Sequence, residues 1–221
     1  MATVFGMYLP SSFAENDPDE IARIVDTHPL AQLVVGGSDG LVATPVPMLR
    51  VVDPATGVTT FRGHLAKANP ALVEGPALLL FLGVDAYVSP SAYPSKAEHG
   101  RVVPTWNYET VQVRGNLVLH PEPAWVLDIV RALTNVHESH RNAPWSVEDA
   151  PSDYIDGMLR AIVGIEVMPT SIVAKRKLSQ NRSQADSAGV VADLAAGDAL
   201  QQRTSEAMKR VAEGSLQLPS L

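Results

Sequence analysis

The spacing of apolar positions changes several times along the chain, and each change marks an element. Ile21, Ile24 and Val25 share one helical face. Asp17 stands where a helix cap belongs, Pro18 suits the first helical position, and Asp19 and Glu20 complement the positive end of the helix. His28-Pro29 ends this element, since the residue before proline avoids the α region. The pattern then becomes that of strands. Leu30–Val35 reads as one strand, Gly36–Gly40 as a turn and Leu41–Val52 as a second strand. Pro45 and Pro47 are two apart in that second strand, so both missing N–H groups point to one side, toward an unpaired edge or a ligand. Asp53–Gly57 is a turn leading to a strand over Val58–Gly63.

Asn69-Pro70 reads as the cap and first position of a short helix, Pro70–Glu74. Ala77–Val84 is an apolar run of strand length that Asp85–Ser89 continues, and Pro90–Pro104 is a long polar loop. Tyr108–Leu119 alternates as a strand. From Pro121 to about His140, Val126, Ile129, Val130, Leu133 and Val136 form a helical stripe. Ile162–Met168 is a further strand. Beyond Asp186, Val190, Leu194, Leu200, Met208 and Val211 recur at helical spacing, which predicts an appended helical tail placed to dock on a partner subunit. Consecutive hairpins with peripheral helices predict an α+β protein built on an antiparallel β-barrel, with a barrel domain over 1–182 and a helical tail over 183–221.

Charge narrows the function. Seventeen Lys and Arg against 24 Asp and Glu leave a net charge of −7, which disfavours general polyanion binding unless cations cluster locally. The chain has no cysteine, which excludes disulfides, thiolate metal sites, iron–sulfur clusters and cysteine nucleophiles. No apolar run reaches the ~20 residues that span a bilayer. Met1–Pro10 has no basic residue ahead of an apolar stretch, so a cytoplasmic protein without signal peptide or membrane partner is expected.

Four constellations could carry chemistry. Phe61–Pro70 places Arg62, His64 and Lys67 between a strand end and the expected helix start at Asn69, a set of donors suited to an anion; the plain alternative is solvated charge at a strand end. Ala86–Lys96 and Val103–Tyr108 combine Tyr87, Tyr93, Trp106 and Tyr108 with hydroxyls, Asn107 and Lys96, the mixture a planar heteroaromatic ligand needs; the alternative is barrel wall and simple turns. Lys175–Arg182 holds four cations in eight residues, fit for DNA phosphates, a cofactor phosphate or an acidic neighbour, or merely a solvated face. His137 and His140 are three apart, one short of the helical zinc spacing, so no metal is expected. There is no nucleophile elbow, P-loop or GxGxxG sequence, so no catalytic residue is assigned.

Met7–Pro10, Gly63–Ala66 with Asn69-Pro70, Ala86-Tyr87 through Lys96, Val103-Pro104-Thr105-Trp106-Asn107-Tyr108 and Lys177-Leu178-Ser179-Gln180-Asn181-Arg182 together resemble the PaiB-type FMN-binding negative transcriptional regulators, in order and spacing, over residues 7–182. The resemblance implies an FMN-binding split β-barrel, related to pyridoxamine-phosphate oxidase and flavin reductases, that forms a homodimer with FMN at the interface. It implies that Lys67, Arg62 and the amides leading to Asn69 meet the phosphate, with His64 lining the same end. The backbone of Thr44, Pro45 and Val46 then faces the flavin edge, Trp106, Asn107 and Tyr108 flank the ring, and Lys177, Ser179, Gln180 and Asn181 close the site. Ala92, Asp85 and Gln112 stand where the family commonly has Trp, His and His, which removes one aromatic ring and two donors. Three readings follow: an FMN flavoprotein with oxidoreductase activity, a negative transcriptional regulator working through DNA or a regulatory protein without catalysis, and a haem-binding split barrel using His64, His99, His120 or His140.

Overall fold

Asp17 does open the first helix, its carboxylate accepting the Asp19 N–H at 2.9 Å. In the computed structural model, which describes residues 6–216, that helix is α1, Pro18–Thr27. The strands are β1 (Ala14–Glu15), β2 (Leu30–Gly37), β3 (Gly40–Pro47), β4 (Leu49–Val52), β5 (Thr59–Ala66), β6 (Gly75–Val88), β7 (Thr105–His120) and β8 (Ile162–Lys177). The remaining helices are α2 (Ser95–His99), α3 (Pro123–Glu138), α4 (Ser152–Leu159), α5 (Gln184–Ala195) and α6 (Ala199–Leu216). The strands form an antiparallel, unclosed sheet in the order β3-β2-β6-β7-β8-β5-β4, with β1 added to β8. This is the expected α+β split barrel.

β3 is the outer strand of that order and sets Pro45 opposite Gln32 and Pro47 opposite Leu30. Proline is tolerated there because an outer strand has ladder bonds on one side only. The structure differs from the sequence pattern in several places. The expected single strand Leu41–Val52 breaks at Met48, whose N–H turns to the Pro29 carbonyl at 2.9 Å while its side chain is buried. The expected helix Pro70–Glu74 is absent and only a turn forms, because the Asn69 side chain takes the Ala71 N–H at 2.9 Å and holds the chain locally. β8 continues nine residues past the expected end at Met168, to Lys177. The expected loop Pro90–Pro104 contains a 3-10 turn, Pro90–Ala92, and α2. α4 was not signalled in the sequence pattern; it is an eight-residue helix with no buried side chain, so no apolar stripe announces it.

The chain divides into two compact units. Among the described residues, one comprises 6–24, 82–111 and 173–216; the other comprises Val25–Phe81 and Gln112–Ile172. β6, β7 and β8 each contribute residues to both. The core of the first unit joins Val84, Val88, Tyr93 and Leu178 to Val190, Leu194, Ala207 and Met208. α5 and α6 therefore pack against β6 and the end of β8 of their own chain. The second unit buries Leu33, Val46, Phe61, Leu79 and Ile165, with Phe61 and Phe81 rings 5.5 Å apart and α3 laid against β5.

Candidate functional site

In the second unit, β5 alternates: Phe61, Gly63 and Leu65 are buried, while Arg62 and His64 leave on the opposite face. Gly63 has no room for a side chain, since a Cβ would lie 2.7 Å from the Pro47 carbonyl oxygen, so β3 and β5 approach closely there. His64 has a buried Nδ1 with no hydrogen-bond partner among the described residues, and burial lowers the imidazole pKa below its ordinary value. Lys67 lies just past the strand end, exposed, with its backbone N–H on the Ala161 carbonyl at 2.9 Å. Asn69 donates to Thr44 Oγ1 at 3.3 Å, which ties the turn after β5 to β3. The amide cradle expected from a helix at Asn69-Pro70 does not exist, since that helix is absent. Pro45 is exposed and Val46 is buried on β3.

Arg62 is already engaged. Its Nε donates to Glu166 at 2.7 Å, and His120 Nε2 lies 3.3 Å from the other Glu166 oxygen. Burial alone would raise the Glu166 pKa, but the hydrogen bond and charge of Arg62, with smaller contributions from Thr60 and His120, outweigh it and hold the carboxyl below its ordinary value. His120 stacks on Trp125 at 4.1 Å and 7°, and the Arg62 guanidinium lies 5.9 Å from the same ring. Within this unit, His64 and Lys67 are thus the groups left to meet an anion.

The first unit gathers the other candidates where β7 begins and β8 ends. Trp106 is 54% exposed and rests edge-on against Tyr87 at 6.0 Å, and Tyr108 is half-buried. Lys177 Nζ donates to Thr105 Oγ1 at 2.6 Å and to the Trp106 carbonyl, and lies 6.0 Å from the Tyr108 ring. Burial first, then Lys175 and Arg182, lowers the Lys177 pKa. Asn107 and Ser179 are buried and bonded to each other, Asn107 Nδ2 to Ser179 Oγ at 3.0 Å, with Met208 Sδ 3.3 Å from the same amide. Ser179 holds φ at +67°, a left-handed turn that this bond helps fix. Gln180 bridges the same turn, accepting the Leu178 N–H at 2.7 Å and donating to the Arg176 carbonyl. Asn181 is exposed.

The run Lys175–Arg182 is not a solvated patch. Lys175 donates to the Tyr8 carbonyl at 3.0 Å and lies 5.5 Å from both the Tyr8 and Tyr108 rings. Arg176 is buried, with Glu109, Glu15 and Glu20 oxygens at 2.8, 3.1 and 3.0 Å. Glu109 is fully buried and also binds Arg23 at 2.9 Å. Arg182 lies 4.9 Å from the Tyr93 ring. The sequence reading missed this network of Glu15, Glu20, Arg23, Glu109 and Arg176 and the roles of Tyr8 and Lys175; the only available signal was the alternation in Lys175-Arg176-Lys177, which puts the arginine on the opposite face. Ala92, in place of the family's Trp, is buried beside α5, where a Cβ on Gly189 would lie 2.2 Å from the Ala92 carbonyl oxygen. Ala92 shares its buried cluster with Val190 and Leu194 of α5. Asp85 and Gln112 are half-buried. Of the remaining histidines, His99 and His140 are exposed.

The residues present suit a flavin phosphate: a buried imidazole nitrogen and, three residues on, an ammonium, neither with a partner among the described residues. The family model described as "Putative FMN-binding domain" matches residues 7–171. An uncharacterised protein of Aspergillus fumigatus is 33% identical over 60% of this chain and 64% of its own length, so this chain spans somewhat under two-thirds of that relative. The "Protease synthase and sporulation protein PAI 2" of Bacillus subtilis is 28% identical over 85% of this chain and 89% of its own. Among solved structures, the FAD and haem binding protein of Mycobacterium smegmatis superposes with a TM-score of 0.54 at 17% identity, over 74% of this chain and 73% of that one. The flavocytochrome Anf3 of Azotobacter vinelandii gives 0.52 at 16% identity, over 74% and 69%. At such identities the two structures bear on fold alone. With residues 7–171 of 221 matched and the Bacillus relative aligned over most of both chains, the protein is a flavin-binding member of the PaiB-like FMN-binding family.

Proposed function

We propose that the protein is a cytoplasmic homodimer that holds FMN and uses it as a redox group, and that any effect on transcription passes through a protein partner rather than through duplex DNA. The observation that carries the flavin site is the pair His64 and Lys67, whose Nδ1 and ammonium have no partner among the described residues. A phosphate dianion would satisfy both. Asn69 and Thr44 brace the turn beside them, and Thr44, Pro45 and Val46 lie on β3, an outer strand of the sheet, which would face the flavin edge. In the first unit, Asn107, Ser179, Gln180 and Asn181 shape the turn that carries Lys177, and Trp106 and Tyr108 lie near the start of β7. Arg62 acts from behind, through Glu166.

Bound FMN supplies hydride or single-electron transfer; the chain supplies position and field. What supports the reading against a DNA contact is the engagement of Lys175, Arg176, Lys177 and Arg182 inside their own unit, in a protein of net charge −7. No helix among the described residues is long and apolar enough to cross a membrane. The test is the absorbance spectrum of purified protein before and after addition of FMN. Protein that stays colourless and takes up no FMN on titration rejects the reading, and a Soret band without flavin bands replaces FMN with haem, the second group named for the Mycobacterium smegmatis neighbour. Replacing His64 by Ala or Lys67 by Met should weaken FMN about tenfold or more each, the loss of one charge-assisted hydrogen bond. A DNA-binding assay over a range of salt should show a slope near zero.

A further inference from the structure

The two lysines at the end of β8 stand out once their neighbours are counted. Lys175 and Lys177 are two apart on a strand, so their side chains leave on the same face, and both ammonium groups lie within 6.0 Å of the Tyr108 ring centroid. Their hydrogen bonds go to neutral oxygens only: the Tyr8 carbonyl, Thr105 Oγ1 and the Trp106 carbonyl. No carboxylate among the described residues is in ion-pair range of either, and the charges acting on Lys177 are those of Lys175 and Arg182. Like charges drawn together and partly removed from water are costly, and the arrangement is relieved by an anion. Around them lie exposed ring faces. Tyr8 is 82% and Trp106 54% exposed, and Tyr87 braces the Trp106 ring edge-on. One N–H of Lys177 and two of Lys175 remain uncommitted after the bonds above, which suits a carboxylate's few acceptor sites.

We infer that this cluster is a binding site for a planar aromatic carboxylate, its charge taken by Lys177 in the field of Lys175 and its ring laid against Trp106 and Tyr8. Lys177 contacts the carboxylate directly; Lys175, 7% exposed and pinned by the Tyr8 carbonyl, is the positioning charge beneath it. The N-terminal segment carrying Tyr8 is thereby part of the site. That this ligand is the flavin's substrate rests on the FMN reading; that it binds does not.

The probe is naphthoate, titrated by calorimetry into flavin-free protein, with neutral naphthamide as its isosteric control. The expected result is saturable binding of one naphthoate per chain, with naphthamide at least tenfold weaker. Lys177→Gln should weaken naphthoate at least tenfold, Lys177→Arg should retain it, and Trp106→Leu, at an exposed position, should weaken it several-fold without lowering the melting temperature. Repeating the titration with FMN bound should leave naphthoate affinity unchanged or raised. Equal affinity for naphthoate and naphthamide, or normal binding by Lys177→Gln, overturns the inference. Displacement of naphthoate by FMN also overturns it, because the cluster then belongs to the flavin itself. Protein that takes FMN but no naphthoate rejects the inference and keeps the cofactor reading; the reverse pattern does the opposite.

Discussion

Neighbouring cations on one strand have opposite fates here. Arg176 points into the first unit and meets Glu109, Glu15 and Glu20, while Lys175 and Lys177 leave on the other face toward Tyr108. The guanidinium suits the inner position because its planar fork can serve several carboxylates at once. Glu109 is shared by Arg176 and Arg23 through one oxygen, and its other oxygen is buried without a partner among the described residues. Removing its charge takes from Arg176 its fully buried carboxylate and leaves it only the partly exposed Glu15 and Glu20, so Glu109→Leu should cost about 3–5 kcal/mol, read as a fall in denaturant midpoint. His64 gives a pH signature. Its folded-state pKa is depressed by burial, so the unfolded chain binds the proton first. The stability it contributes is full above the unfolded value of 6.5 and is lost as pH falls from there through the lower folded value. His64→Gln should flatten that part of the profile of melting temperature against pH. A phosphate dianion beside the ring favours the imidazolium, so the His64 titration followed by NMR should move upward when FMN binds. An unmoved midpoint would place the phosphate elsewhere.

At the scale of elements, two glycines mark where chain segments touch. A Cβ on Gly115 of β7 would lie 2.2 Å from the Met168 carbonyl oxygen of β8, and one on Gly164 of β8 would lie 2.3 Å from the Trp125 ring of α3. Alanine at either position overpacks the second unit, at about 1–3 kcal/mol or more. The obstacles differ, and so should the rescue: Trp125→Leu should recover part of the loss in Gly164→Ala, while no side-chain change recovers Gly115→Ala. Thermal denaturation of the single and double variants measures this. Periodicity made α1, α3 and the hairpin of β2 and β3 legible, because one face of each is buried and the other is not. It failed at Asn69-Pro70, where the same residues that cap a helix also close a turn, and the bond to Thr44 on β3 favours the turn. It failed at Met48 for a similar reason, since the interrupting bond comes from Pro29, far off in sequence.

At the scale of the molecule, residues 183–216 pack within the first unit. α5 and α6 bury Val190, Leu194, Ala207 and Met208 against Val84, Val88 and Leu178, and α6 sets Met208 against Asn107 and the Ala207 carbonyl 3.5 Å from Arg176. A chain ending at Arg182 should therefore melt lower and bind a hydrophobic dye, and a truncated chain that melts as the full one does would contradict this packing. The family-model match stops at residue 171, before this support begins. The strand-rich α+β class and the family, and with it the flavin, are legible along the chain, because burial periodicity and short motifs are local properties. Which cations are free depends on the fold. Arg62, Arg176, Lys177 and Lys67 look alike in the sequence, and their difference lies in partners 67 to 104 residues away or in none, which spacing along the chain cannot show.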